Sequence, residues 1–243
     1  MILKTLGVLG WIFASRPWVS SALFFVPDFW VLYQVFVPSA QGSCPTLTHF
    51  QTDRAEIWLT IDDGPDAEDT PRILDLLDRH QARATFFLIG ERAARHPGLV
   101  AEILRRGHEV GHHTHTHPTV TSWCATPGMI RKEIDAGLAA MQPARPRWFR
   151  PPVGIRGPFL APVLAARGLQ CVAWNVRSLD SFSRDPAAVV RRVMARVRPG
   201  SIVLVHEGAT LHPAVRVKAL AGLLEALATR QYRCVLPGPG QLR

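Results

Sequence analysis

Cysteine is scarce and poorly placed for cross-linking, with four residues at 44, 124, 171 and 234 of 243, no C-x-x-C pair and no ligand spacing. Neither a disulfide framework nor a cysteine-built zinc site is implied. Cys171 and Cys234 stand in apolar, strand-like runs and read as buried free thiols, which leans towards a reducing compartment. Acidic residues are also short: 19 Asp and Glu face 28 Lys and Arg, a net charge of +9. The excess favours an anionic partner such as lipid head groups or a phosphate-linked substrate, although pairs like Arg105-Arg106 and Arg191-Arg192 are scattered as on any solvated face. No base-reading motif is present, so nucleic acid is not expected as a partner. Residues 50–243 show no repeat, no low-complexity stretch and no linker, and with 47% hydrophobic residues the chain can bury one full core.

An uninterrupted apolar run long enough to span a bilayer is missing as well. Met1–Phe13 is almost wholly apolar, and Leu23–Pro38 resumes the pattern, but Arg16-Pro17 and Pro27-Asp28 divide the segment into pieces short of about 20 residues. Trp11, Trp18, Trp30 and Tyr33 are spread along it, as suits a segment lying in a membrane interface. Interfacial anchoring is therefore expected first, packing on the domain's own core second, and a signal peptide cleaved near Ser20-Ser21-Ala22 third. The division expected is residues 1–45 as an apolar N-terminal segment and 46–243 as the catalytic domain.

Beyond Cys44, strand-like and helix-like segments alternate. Strands are predicted at Glu56–Ile61, Ala84–Ile89, His108–Gly111, Trp148–Arg150, Leu169–Val176, Ser201–Val205 and Tyr232–Leu236. Helices are predicted between them, including Thr70–His80 with Thr70 as N-cap and Pro71 in the first turn, and Thr126–Met141 with Thr126 and Pro127 in those roles. About seven alternations predict an α/β fold, a parallel sheet closed or nearly closed into a distorted (β/α) barrel.

What the chain does have is polar chemistry at strand ends. Asp62-Asp63, the run His112-His113-Thr114-His115-Thr116-His117, Arg150-Pro151-Pro152, Asp180 and His206 each follow a predicted strand. In a barrel those ends meet around one mouth. Aspartate with histidines at i and i+4 is a metal-site inventory, and a second carboxylate beside them is what metal-assisted hydrolysis requires. His113 and His117, four apart, are expected to project both rings to one side of a helical turn.

Ile61-Asp62-Asp63-Gly64-Pro65, Gly111–Pro118, Phe149-Arg150-Pro151-Pro152-Val153-Gly154 and Ser201–His206 resemble four signature motifs of the polysaccharide deacetylase family, the NodB-homology, carbohydrate esterase 4 type enzymes. The match in order and spacing runs over roughly residues 55–240 and leaves out the N-terminal forty. The resemblance implies one divalent ion on Asp63, His113 and His117, zinc first, with cobalt, manganese or nickel suited to the same donors. It implies Asp62 as general base, Arg150 as the residue orienting that base, and His206 as the acid protonating the leaving amine. The backbone N–H of Val153, at the family's tyrosine position, would steady the oxyanion. Leu204 and Trp174 are candidates to line the space for an acyl methyl group.

The sequence also departs from that pattern. Arg177-Ser178-Leu179-Asp180-Ser181 keeps only the second of two usual aspartates, so Asp180 is expected to partner Arg150 or tune His206. Arg177 and Ser181 alter a wall of the groove, where an arginine could meet a phosphate or acidic sugar. His112 and His115 are placed off the metal, at the surface or around the ligands. The function expected is removal of an N-acetyl or N-formyl group from an aminosugar, on a lipid-linked sugar such as a polyprenyl phosphate in envelope polysaccharide or lipid A biosynthesis, at the cytoplasmic face of the inner membrane. An exported, periplasmic or extracellular peptidoglycan or exopolysaccharide N-deacetylase is the first alternative. A silent carbohydrate-binding or membrane scaffold protein is the second, and the intact set of base, ligands, arginine and acid argues against it.

Overall fold

A computed structural model describes residue 5 and residues 17–119, 121–209 and 211–242. Apart from Thr5, the segment Met1–Phe13 read as a signal lies outside the described residues. The chain proceeds through α1 (Pro17–Phe36), β1 (Thr46–Leu47), β2 (Glu56–Gly64), α2 (Asp69–Arg79) and β3 (Ala84–Leu88). Next come α3 (Gly90–Arg95), α4 (Pro97–Arg105), β4 (Glu109–His112), α5 (Pro127–Ala140) and β5 (Trp148–Phe149). It ends with α6 (Leu160–Ala165), β6 (Gln170–Val172), β7 (Val176–Arg177), α7 (Pro186–Met194), β8 (Ile202–His206), α8 (Arg216–Thr229) and β9 (Arg233–Cys234).

Every pairing between these strands is parallel, in the order β1-β6-β5-β4-β3-β2-β8-β7, with β9 joining the start of β2. Strand alternation sorts the core into two layers. Ile57, Leu59 and Ile61 of β2 pack outward among Leu74, Leu77 and Leu223 of the helices. Trp58 and Thr60 point inward, where Trp58, Phe87, Val172 and Ile202 fill the barrel.

The predicted single strand Leu169–Val176 is two. β6 lies second from one end of the sheet and β7 at the other end, yet only Ala173-Trp174-Asn175 separates them. The curled sheet thus leaves a seam that covalent chain crosses where ladder bonds do not. Arg150 explains the break: its Nε and Nη2 donate to the carbonyls of Val172 and Ala173 (3.1 and 2.9 Å), and so occupy acceptors at the end of β6.

Two other expectations are corrected. Thr70 does not cap α2: Asp66 Oδ1 accepts the N–H groups of Glu68 and Asp69 (3.0 and 2.9 Å), so the helix starts earlier and Thr70 turns its hydroxyl to Glu207. By contrast Thr126 caps α5 as expected, accepting from the Met129 N–H. Nor does Pro27-Asp28 divide the N-terminal segment, while Arg16, of the other expected break, lies outside the described residues. Pro17 opens α1, where no N–H is required, and Pro27 forfeits one internal bond within a helix that continues on both sides. Trp18–Phe36 is long and apolar enough to cross a membrane by length and composition, a test that a signal sequence passes too.

The end of α1 is fastened to the barrel by Arg156, a fully buried guanidinium with no carboxylate partner among the described residues. Its donors reach the carbonyls of Gln34 (3.1 Å), Val37, Ala40 and Cys44 and the Thr46 hydroxyl (2.8 Å). A cation over the last carbonyls of a helix satisfies acceptors that the helix itself leaves open. Farther from this clamp, Phe29 and Trp30 of α1 are 68% and 54% exposed.

Candidate metal centre and catalytic site

Adjacent residues of a regular strand face opposite ways, so Asp62 and Asp63 should not share a site. They do because β2 carries a bulge. Asp62 pairs with Phe87 and Gly64 with Leu88, which leaves Asp63 as the extra residue, at φ 73°. The bulge turns its carboxylate to the same mouth as Asp62.

Opposite it, the histidines come from a loop and not from the helical turn expected. His113 directly follows β4, and the chain bends through left-handed conformations at Thr114 and His117 (φ 64° and 58°) to bring the two rings to 4.9 Å between centroids. Glu133 of α5 holds that bend, accepting the N–H groups of His115 and Thr116 (2.9 and 2.8 Å) and the Thr116 hydroxyl. Nδ1–H of His113 donates to the Arg150 carbonyl (2.6 Å), so Nε2 is the nitrogen left for a metal. The two Nε2 atoms lie 3.5 and 3.3 Å from Asp63 Oδ1.

These three donor atoms all lie within 4.8 Å of one another, and Asp63 Oδ1 is buried with no hydrogen-bond partner among the described residues. One carboxylate oxygen and two imidazole nitrogens converging on a common point fit a divalent transition ion. Burial pushes the Asp63 carboxyl up, but the imidazoles of His113, His206 and His117 outweigh it and hold the group below the usual carboxylate range. Burial, helped by the neighbouring His113, lowers His117 to about 4, so its ring is neutral and able to ligate near pH 7.

Asp62 Oδ2 is 3.8 Å from His113 Nε2, while its Oδ1 accepts from Arg150 Nη1 at 2.7 Å. Arg150 is fully buried, with Thr60 Oγ1 at 2.9 Å and its guanidinium 4.1 Å over the Phe87 ring, so neither partner of the pair has freedom to move. His206, in register with Asp62 across the β2–β8 ladder, donates Nδ1–H to Asp180 Oδ1 at 2.7 Å, and its backbone N–H reaches the other oxygen, also at 2.7 Å. Burial opposes the charged ring, yet the Asp180 contact, aided by Asp62 and Asp63, raises His206 to about 9. Asp180 therefore partners His206; Arg150 spends its donors on Asp62, Thr60 and the seam.

The remaining expected residues are placed less tightly. Val153 is half-exposed on the turn after Arg150-Pro151-Pro152, at φ 49°. Leu204 is buried inside the barrel, paired with Thr60. The Trp174 ring lies between the guanidiniums of Arg150 and Arg177, 5.6 and 5.8 Å away. Arg177 has no carboxylate partner among the described residues and also flanks the exposed ring of Phe182. His112 is not at the surface: it is fully buried, bonded through Nε2 to the Ile134 carbonyl, and ties β4 to α5.

Sequence reasoning missed Thr60, Glu133 and Arg92, whose Nη1 donates to the Asp63 carbonyl. Thr60 was within reach, since Trp58, Thr60 and Asp62 alternate onto one strand face. Glu133 and Arg92 carry no local signal, because each acts on a loop far away in sequence.

A family model described as polysaccharide deacetylase matches residues 50–172. A chitooligosaccharide deacetylase of Sinorhizobium fredii is 38% identical over 67% of this chain and 77% of its own length. A peptidoglycan-N-acetylglucosamine deacetylase of Bacillus cereus is 33% identical over 75% of this chain and 67% of its own. Among solved structures, a family 4 carbohydrate esterase from Streptomyces lividans in complex with acetate superposes with a TM-score of 0.68 at 30% identity, covering 76% of this chain and 94% of that one. Sequence, fold and the mouth of the barrel agree: the chain belongs to the polysaccharide deacetylase family and is a carbohydrate deacetylase.

Proposed function

We propose that this protein removes the N-acetyl group of an aminosugar at a membrane face, with a lipid-linked sugar as substrate. The observation that carries the chemistry is the free carboxylate of Asp62, clamped by Arg150 beside the Asp63, His113 and His117 cluster. Those three residues would hold one divalent ion, zinc first among the candidates. When bound, such an ion supplies positive charge that polarises an amide carbonyl and acidifies water.

The other tasks fall to side chains. Asp62 takes the proton of the attacking water, kept by Arg150 in one orientation. His206 carries a proton that Asp180 stabilises and gives it to the departing amine, which leaves poorly as an anion. The N–H of Val153 faces the oxyanion, and Leu204 and Trp174 bound the space for the acyl methyl. The membrane setting is supported by the apolar helix α1 and by a net charge of +9, and the phosphate by Arg177, which lies beside Trp174 and has no carboxylate partner among the described residues. Free thiols at 44, 124, 171 and 234 favour the reducing, cytoplasmic side.

The names of the relatives favour a second reading, an exported N-deacetylase of peptidoglycan or a related polymer. Acetate release from N-acetylglucosamine oligomers and from lipid-linked N-acetylaminosugars, with and without chelator, tests both. Chelator-sensitive release is expected; turnover confined to the polymers would replace the first reading by the second, and no release from either would remove the enzyme.

A further inference from the structure

We infer that a cavity of about 540 Å³ beside the catalytic mouth binds the hydrocarbon chain of the substrate. The inference rests on the aminosugar deacylase reading above and adds where a lipid portion would sit. Ile130, Ile134, Phe149, Ile155 and Leu160 form its walls. The exposed lining is mainly apolar, which suits a hydrocarbon better than a sugar ring, although Thr121, Ser122 and Lys132 also line it. Glu133 also borders it, but that carboxylate is engaged by the His115 and Thr116 backbone.

The position ties the cavity to the reaction. Its lip is shared with the catalytic loops: Thr114 and Thr116 alternate with the histidine ligand loop, and Pro151-Pro152 directly follow Arg150. A chain lying in it would be attached to a sugar at the mouth. Its other side is tied to the apolar helix through one residue. Ile155 and Gly157 line the cavity, while Arg156 between them clamps the end of α1, donating its own N–H to Val35 (3.0 Å) and its side chain to Gln34 (3.1 Å). Around this end of the barrel Trp123, Met129 and Phe159 stand 48%, 49% and 48% exposed, large apolar groups available to another apolar phase. Met129 thus carries the exposed collar into the cavity lining, and the cavity lies one residue along the chain from the clamp on α1, a setting that suits a hydrocarbon delivered from a bilayer.

The test compares methyl and octyl glycosides of N-acetylglucosamine, below micellar concentration, on the metal-loaded full chain in lipid nanodiscs. Each methylene that enters should lower KM by roughly fourfold, so the octyl compound should show a KM at least tenfold below the methyl one. Ala125→Phe, which fills the cavity, and Met129→Glu, which charges its rim, should each bring that ratio close to one and leave methyl glycoside turnover intact; partitioning into the nanodisc is the same for all three proteins. Equal KM values in the unsubstituted chain, or a chain advantage that survives both substitutions, would overturn the proposal. So would an advantage that appears only after residues 1–16 are removed, since the protein's own N-terminus would then be the occupant. If neither glycoside is hydrolysed, the deacylase reading fails separately, and equilibrium binding of the same pair decides the cavity: octyl preference lost in Ala125→Phe supports it, no preference rejects it.

Discussion

Replacing Arg150 by methionine, alone and together with Asp62→Asn, asks how much the base depends on its clamp. Methionine keeps the length of the side chain and its contact with Phe87 but removes every donor. In the single variant the Asp62 carboxylate, whose side chain is 4% exposed, is left without its counterion. Stripping one member from a buried pair costs about 3–5 kcal/mol. Part of that is unrelated to charge, because the carbonyls of Val172 and Ala173 lose their donors at about 1 kcal/mol each. In the Asp62→Asn background Arg150 is the buried charge left without a counterion, so its replacement removes that charge and should cost at most the carbonyl part, about 2 kcal/mol. The coupling between the two sites is then at least about 2 kcal/mol. Urea unfolding of the four chelator-treated proteins at pH 7 measures it. Costs that add to within about 0.5 kcal/mol would refute the account, because independent sites behave in that way.

Asp62→Asn should retain metal, as measured by bound-ion analysis, and lose roughly 100- to 10,000-fold in kcat, the usual range for a general base. His117→Ala should lose both metal and turnover, whereas His115→Ala should hold its metal; the opposite pattern would reassign the loop. Asp180→Asn removes the contact that raises His206 to about 9, leaving burial to depress it, so the alkaline limb of kcat/KM should move to lower pH. The same elevation stabilises the folded chain fully below the ordinary histidine value of about 6.5 and fades as pH rises through about 9, a loss that pH-dependent unfolding detects and that Asp180→Asn should abolish. Removing residues 1–32 should release the protein from membranes while sparing the acceptors of Arg156; removing 1–40 takes away Gln34, Val37 and Ala40 and should lower the melting temperature as well.

The alternation of apolar runs was enough to place most of the parallel strands, though not the two-residue β1, and the polar residues at strand ends pointed to one mouth, because both rest on local periodicity. What escaped depended on distant partners. The strand after Leu169 reads as continuous until Arg150, some twenty residues earlier, draws its carbonyls aside. The histidine pair reads as helical from its spacing, but Glu133 takes the backbone N–H groups that a helix would have used. Pro27 reads as a stop, although one missing donor does not end a helix. Arg156 gave no signal at all, since nothing near it in the sequence shows the carbonyls it will meet.

The extra residue in β2 has a consequence for anyone transplanting this chemistry. A uniform pleat can offer one acid to a cavity and must send its neighbour to the opposite wall, so copying the Asp-Asp dipeptide into a straight scaffold would bury one carboxylate among aliphatic side chains. The irregularity, more than the two acids, is the heritable unit: shorten the strand by a residue and the binding function and the proton-accepting function can no longer share a room.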